Sequence, residues 1–325
     1  MSIKINKDNI EFNNYTMTFT EEGFVFDGEI LANSISISPP MAGTVAGYAS
    51  GGGGGGPPIV NIIDKFPFAT DANATDVGDL TQARSDAAGQ SSSENGYTSG
   101  GRAPPLTVNT IDKFPFATDA NATDVGDLTT SRYGAAGQSS TLNGYTSGGS
   151  PPTVNTIDKF PFAADTNATD VGDLTQARRL AAGQSSSENG YTSGGREPST
   201  VNTIDKFPFA TDANATDVGD LTQARYNVTG QSSTESGYTS GGYAPGSVNT
   251  IDKFPFATDA NATDVGDLTQ GRYLAAGQSS SENGYTSGGT TSGNTIDKFP
   301  FATDANATDV GDLTRSGRVT AGQQD

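Results

Sequence analysis

The sequence predicts an all-β fold, a closed ring of six β-propeller blades. Three observations carry that expectation. One unit recurs six times, strand and hairpin signals recur inside every copy, and the two chain ends complement each other. The string Ile-Asp-Lys-Phe-Pro-Phe-Ala begins at Ile63, Ile111, Ile157, Ile204, Ile251 and Ile296, giving spacings of 48, 46, 47, 47 and 45 residues. Each copy continues as Asp-Ala-Asn-Ala-Thr-Asp-Val-Gly-Asp-Leu-Thr, with Asp165-Thr166-Asn167 the one variant. Self-similarity at such a period is the signature of stacked or ring-closed repeats.

Composition alone points elsewhere. With 42 Gly and 33% hydrophobic residues in 325, the chain resembles a disordered one. Disorder does not explain two Phe, one Leu, one Val and one Tyr recurring at fixed phase with turn residues between them. Aromatics in register are what a packed repeat needs.

Residues 1–40 stand outside the repeats. Ile3-Lys4-Ile5, Ile10-Glu11-Phe12, Tyr15-Thr16-Met17-Thr18-Phe19 and Phe24-Val25-Phe26 are short alternating β segments. So small a piece has no dependable core of its own. It is expected to be a β-rich anchor or oligomerisation segment, covering its apolar face with sister chains, another protein or the ring. The run Gly51–Gly56 with Pro57-Pro58 reads as a loop, flexible and then stiffer. Residues 41–325 are expected to form the propeller.

Inside a unit, alternation over Ile111-Asp112-Lys113-Phe114-Pro115-Phe116 places Asp112, Phe114 and Phe116 on one face. Pro115 lacks an N–H, so this strand must end, bulge or lie near an edge there. Ala135-Ala136-Gly137-Gln138 is small throughout, as a crowded innermost strand requires. Asn143-Gly144 is a hairpin signal leading into Gly144-Tyr145-Thr146-Ser147-Gly148-Gly149. Length differences fall after the Gly pair, as at Arg102-Ala103-Pro104-Pro105 and Tyr243-Ala244-Pro245, which marks a joining loop. Each unit thus offers about four short strands, matching a propeller blade.

The ends argue for a ring. The last copy stops at Ala321-Gly322-Gln323-Gln324-Asp325, where the Tyr strand should begin, and the missing piece stands at Gly47-Tyr48-Ala49-Ser50-Gly51-Gly52. Pairing Gly47, Tyr48, Gly51 and Gly52 with Ala321, Gly322 and Gln323 closes the last blade and removes two open sheet edges. An open β-solenoid is the alternative. One departure is local: Gly317 aligns with the Arg of the other copies, and Arg318 is displaced by one.

The unit resembles the kelch repeat. Arg132, the small strand from Ala135, Tyr145, Gly148-Gly149, Asp158 and Phe160 follow in kelch order, over about residues 42–325. The Trp usual in that family is absent, and Val125 and Leu128 are expected to supply the missing apolar anchor.

Chemistry is bounded next. The chain has no Cys, His or Trp, which excludes disulfides, Cys/His zinc sites, thiol nucleophiles and Ser–His catalysis. Its formal charge of −19 disfavours nucleic acid and anionic lipid as partners. No apolar run approaches the roughly 20 residues of a membrane span, and Met1–Ile5 lacks the apolar core of a secretory signal. Asp71, Asn73, Asp76 and Asp79 offer alternating oxygens that could hold calcium, which prefers about six to eight such ligands. The favoured reading of the same residues is a turn bonded to its own backbone. Asp64 with Lys65, and Arg84 with its equivalents, are candidates for ion pairs pinning blade to blade, against the alternative of solvated surface charge.

An enzyme would need one blade to differ, yet the variable positions are bland, so no catalysis is expected. Near-identical Asp-Lys-Phe-Pro-Phe arrays are similar to those of kelch-like virion structural proteins of marine tailed phages. That resemblance implies a fibre, spike or capsid decoration located in the virion and present in many copies. Residues 1–40 would then dock on other virion proteins. The loop aromatics Tyr133, Tyr226, Tyr243 and Tyr273 would meet a host glycan or surface protein, several weak sites acting together. An intracellular kelch-type adaptor and a bacterial surface adhesin are the alternatives.

Overall fold

The structure, a computed structural model, describes residues 43–53, 58–290, 293–318 and 321–325 in full, and the backbone alone of five N-terminal strands. The chain divides into two compact units, Met1–Ser38 and Pro39–Asp325. Among the described residues every regular element is a β-strand.

The first unit is an antiparallel meander of Ile3–Ile5, Asn9–Phe12, Tyr15–Thr20, Gly23–Phe26 and Glu29–Ala32, paired in chain order. Alternation locates the first four. The fifth escapes it because Ile30 and Leu31 are adjacent. The apolar face expected of residues 1–40 lies outside the described residues, as do residues 54–57 of the expected loop, whose first two residues, Gly51 and Gly52, belong instead to a strand.

The second unit is a six-bladed β-propeller, each blade a four-stranded antiparallel sheet. Blade 1 joins the two ends of the chain. Blades 2 to 6 begin with the innermost strands Ala88–Ser91, Ala136–Ser139, Ala182–Ser185, Thr229–Ser232 and Ala276–Ser279. In blade 3 the order outward is Ala136–Ser139, Asn143–Ser147, Thr156–Pro161 and Thr169–Asp173. The third strand ends on Pro161, opposite Asn143, so the missing N–H falls where the ladder stops. A register shift opposite Ile157 and Asp158 recurs in every blade and leaves Val171 of the outermost strand as the extra residue. Ile157 and Asp158 are both buried because each faces a different neighbouring blade.

Small residues at the axis have a direct cause. The six innermost strands touch side by side in a closed cycle. At Gly183 a Cβ would stand 2.0 Å from the carbonyl oxygen of Gly137, and at Gly322 the same distance from that of Gly277. Only glycine allows strands to meet this closely. Around this ring runs a polar one. Gln138 Nε2 donates to Tyr191 O at 3.0 Å in the next blade, and Gln278 and Gln323 carry the cycle across the chain ends to Tyr48 O and Tyr97 O, each at 2.9 Å.

The apolar core lies between blades. Tyr97 and Ile111 of blade 2 pack with Leu128, Phe160 and Ala168, with Val125 and Phe162 at the margin. Tyr97 stacks on Phe162 at 4.8 Å and tilts against Phe160 at 5.5 Å. Aromatic pairs of this kind contribute about 0.5–1.5 kcal/mol beyond burial, and the arrangement occurs at all six interfaces. Leu128 and Val125 thus occupy the anchor role assigned to them.

Ring closure follows the sequence expectation. Ala321, Gly322, Gln323 and Gln324 pair antiparallel with Ser50, Ala49, Tyr48 and Gly47. Gly51 and Gly52 continue that strand, and Gly52 N donates to Arg84 O at 2.8 Å.

Candidate functional site

Each blade presents two kinds of connection, at opposite ends of its strands. One end carries the hairpin between the innermost and second strands and the Phe-Ala-Thr-Asp-Ala-Asn loop between the third and outermost. The other carries the loop after Gly-Gly and the crossover from one blade's outermost strand to the next blade's innermost strand.

At the first end, the oxygen-rich loop clips each blade to the one before it. Asn121 Oδ1 accepts from Asp79 N at 3.0 Å, and Ala122 N donates to Asp79 O at 2.8 Å. In the first copy, Asp71 pairs with Lys298, and Asn73 Oδ1 accepts from Asp312 N at 3.1 Å. Asp76 Oδ1 accepts from Gly78 N at 3.2 Å, within its own turn. The structure therefore sends Asp71 and Asn73 to the preceding blade, Asp79 to the following one, and Asp76 to its own backbone. Among the described residues no group of three or more acidic side chains is placed to hold a metal ion. A groove of about 450 Å³ also opens here between the hairpins of blades 5 and 6, past Tyr238, Lys253 and Phe301, residues repeated in every blade.

The charged residues of the repeat form two separate families of ion pairs. Lys65 reaches Asp119 at 3.2 Å and Lys113 reaches Asp165 at 2.6 Å, both half-exposed and between blades. Exposed pairs of this kind contribute little. The second family is buried. Arg84 in the crossover meets Asp112 of blade 2 at 2.8 Å, and Arg132 meets Asp158 at the same distance, with side chains 0–1% exposed. Thr81 N and Oγ1 also donate to Asp112, at 2.9 and 2.7 Å. Burial pushes the Arg84 guanidinium below its usual value, and Asp112 opposes that shift. Asp64 and Lys65 thus belong to different families, with partners in different blades. At the closing interface Arg315, and not Arg318, takes the buried role: it lies 3.9 Å from Asp64, and its Nη2 donates to Gly51 O.

The second end collects the differences between the copies. After each buried Arg stand two variable residues. The first bridges to the residue after Gly-Gly, as in Ser85 with Arg102, Tyr133 with Ser150, Tyr226 with Tyr243, and Tyr273 with Thr290. The second lines the mouth of the axis. Gly134 N donates to Asp86 O at 2.7 Å, Leu180 N to Gly134 O at 2.6 Å, Asn227 N to Leu180 O at 2.8 Å, and Leu274 N to Asn227 O at 3.2 Å. Asp86, Leu180, Asn227 and Leu274 hold φ between 54° and 59° to join this belt. Left-handed backbone costs of order 1–3 kcal/mol per non-glycine residue and persists only where its surroundings dictate it. Among the described residues the mouth encloses about 60 Å³, room for roughly two waters.

On that face the four tyrosines singled out from the sequence are half-buried and fall into two groups. Tyr226 lies 5.4 Å from Tyr243, and Tyr243 lies 5.3 Å from Tyr273. Tyr133 stands apart from these three, in contact with arginines that sequence reasoning missed. The Arg102 guanidinium lies 4.4 Å above the Tyr133 ring, and Arg179 Nη1 donates to its hydroxyl at 2.9 Å. Arg196 lies 4.7 Å above Tyr226. Their signal is present in the sequence: Arg102, Arg179, Arg196 and Arg318 are the arginines outside the repeated position, apart from Arg315 at the closure. A groove of about 620 Å³ also opens here, between Gln82-Ala83 and the Ala103–Leu106 turn, with Leu106 67% exposed.

This arrangement suits binding: a rigid ring, an end built from near-identical clips, and an end where polar, aromatic and cationic side chains vary from blade to blade. Among the described residues no helix is long and apolar enough to cross a membrane. No protein-family model matches the chain, and no curated protein sequence matches it.

Proposed function

We propose that this chain is a non-enzymatic, kelch-like virion structural protein that displays its variable face for attachment to a host surface. One observation carries the reading. Internal duplication has left the ring-building residues nearly unchanged, while most differences between copies, apart from hairpin positions such as Leu142, fall at one end of the propeller. Variation concentrated on exposed connections above a constant scaffold is how loops carry recognition. The virion setting rests on the resemblance of the repeated array to phage virion proteins. The N-terminal β meander is assigned to docking on the particle.

Two measurements test this. Mass spectrometry of purified particles should find the chain; recovery only from soluble cell extract would replace the virion reading with that of an intracellular adaptor. Fluorescently labelled protein should bind host cells, and Tyr226→Ala with Tyr243→Ala should weaken that binding on the order of ten-fold or more at an unchanged melting temperature. Equal binding by the variant removes this face from the attachment role.

A further inference from the structure

The two groups on the variable face, Arg102, Tyr133 and Arg179 in one and Arg196, Tyr226, Tyr243 and Tyr273 in the other, meet at the backbone bridge between Arg179 and Arg196 and so form an arc over consecutive blades. We infer that the arc binds an acidic polysaccharide, a chain of pyranose rings carrying carboxylates at intervals. The inference rests on the attachment reading above and names its ligand class.

Charge pairing sets these arginines apart. The lysine of every repeat pairs with an Asp of the next blade, and the repeated Arg is buried against a second Asp. In a chain of net charge −19, Arg102, Arg179, Arg196 and Arg318 are cations outside these two repeated families of ion pairs. All four stand at variable positions on one face. Arg102 is exposed, and the other three are half-exposed. Arg179 lies 3.6 Å from Glu197, whose carboxylate also accepts from Thr153 Oγ1 at 2.8 Å, so Glu197 partly offsets the arc at its middle.

Geometry adds the second half. Arg102 stacks on Tyr133, Tyr133 bonds to Arg179, Arg196 stacks on Tyr226, and Tyr243 and Tyr273 extend the line. Guanidinium planes held against aromatic rings are pre-oriented, so their N–H forks remain available for carboxylates at little further loss of entropy. Tyrosine faces offer flat apolar area for the C–H faces of sugar rings, with a hydroxyl at the edge. Spaced cations alternating with aromatic plates match a ligand of sparse charge and repeated ring faces. Single-stranded RNA shares the stacking requirement but carries a phosphate at every residue, which a −19 chain repels outside the arc.

The experiment uses the full chain and three immobilised probes: hyaluronate, with a carboxylate on every second ring, neutral dextran and poly(U). Hyaluronate should bind, with affinity falling as salt rises. Arg102→Gln, Arg179→Gln and Arg196→Gln together should weaken it by roughly ten-fold for each charge-assisted hydrogen bond removed. Arg102→Gln alone, at the most exposed of the three, should show a partial loss with an unchanged melting temperature. Dextran bound as tightly as hyaluronate overturns the inference, as does unchanged binding by the triple variant. Tighter binding of poly(U) also overturns it. If hyaluronate does not bind while Tyr226→Ala with Tyr243→Ala still loses host cells, the acidic-glycan inference fails and the attachment face stands. If those tyrosine changes also leave cell binding intact, both readings fail.

Discussion

Arg315 reaches Asp64 from two positions before the site its counterparts use, because Gly317 occupies that site. The contact is 3.9 Å, against 2.8 Å between Arg84 and Asp112, and the Arg315 side chain is 13% exposed where Arg84 is fully buried. Thr314 compensates, donating from its N at 3.3 Å and its Oγ1 at 2.5 Å to the same carboxylate. Burial still raises the Asp64 pKa above its usual value, with Thr314 and Arg315 opposing it. The closing interface is therefore joined by the loosest of the buried ion pairs.

That difference predicts unequal costs for one chemical change. Asp205→Asn leaves the buried Arg178 guanidinium without its carboxylate, and should cost about 3–5 kcal/mol in chemical denaturation. Asp64→Asn should cost less than half as much, since its arginine is farther off and partly solvated. Equal losses would show that the closing pair is as strong as the others. Moving the arginine back, with Arg315→Gln and Gly317→Arg, should not raise the melting temperature, because Gly317 holds φ 111°, which an arginine adopts only under strain.

The axis makes a sharper prediction. Gly183→Ala puts a methyl 2.0 Å from Gly137 O, where backbone and not a flexible side chain must yield. Overpacking of this kind costs about 1–3 kcal/mol or more, so the variant should melt well below the parent. Leu142→Ala, at a side chain 69% exposed, should stay within about 0.5 kcal/mol and serves as the control. A Gly183→Ala protein of parental stability would show that the innermost strands do not meet.

Alkaline pH should open the blade interfaces. Burial pushes the phenols of Tyr97 and Tyr191 up to about 12, and raises those of Tyr48, Tyr145, Tyr238 and Tyr285. A folded pKa above the unfolded one means that the folded state holds its proton more tightly. The stabilisation is complete below the ordinary value of 10.0 and is lost as pH rises through about 12. Melting temperature should fall across that window. Tyr97→Phe should fall less steeply, and identical profiles would remove the phenols as the cause.

The oxygen-rich loops should behave as clips. EDTA should leave the melting temperature unchanged, because Asp71 and Asn73 already serve Lys298 and Asp312 N. Asn167→Ala strands the Asp127 N–H, now bonded at 3.0 Å, and should cost about 1 kcal/mol. A melting temperature that drops in EDTA and returns with calcium would restore the cation reading.

What the sequence determined by itself was the periodic part of the molecule. Six copies, small innermost strands, Tyr and paired Phe at fixed phase, and the join between Tyr48 and Gln323 all follow from repetition and strand alternation, whereas the stacking of Tyr on Phe of the next blade came from the structure. Alternation also set Asp112, Phe114 and Phe116 on one buried face, and all three are buried. Tertiary structure alone decided the pairings. Asp112 draws its partners Thr81 and Arg84 from the preceding crossover, and Lys65 finds Asp119 rather than its neighbour Asp64. Arg315, not the near-aligned Arg318, fills the buried position. The gathering of Arg102, Tyr133 and Arg179 was equally hidden, since the residues are about thirty to fifty positions apart and become neighbours only where blades curve round a common axis. Local propensity is written along the chain, whereas a charge or a ring finds its partner across it, at a distance that only the closed ring sets.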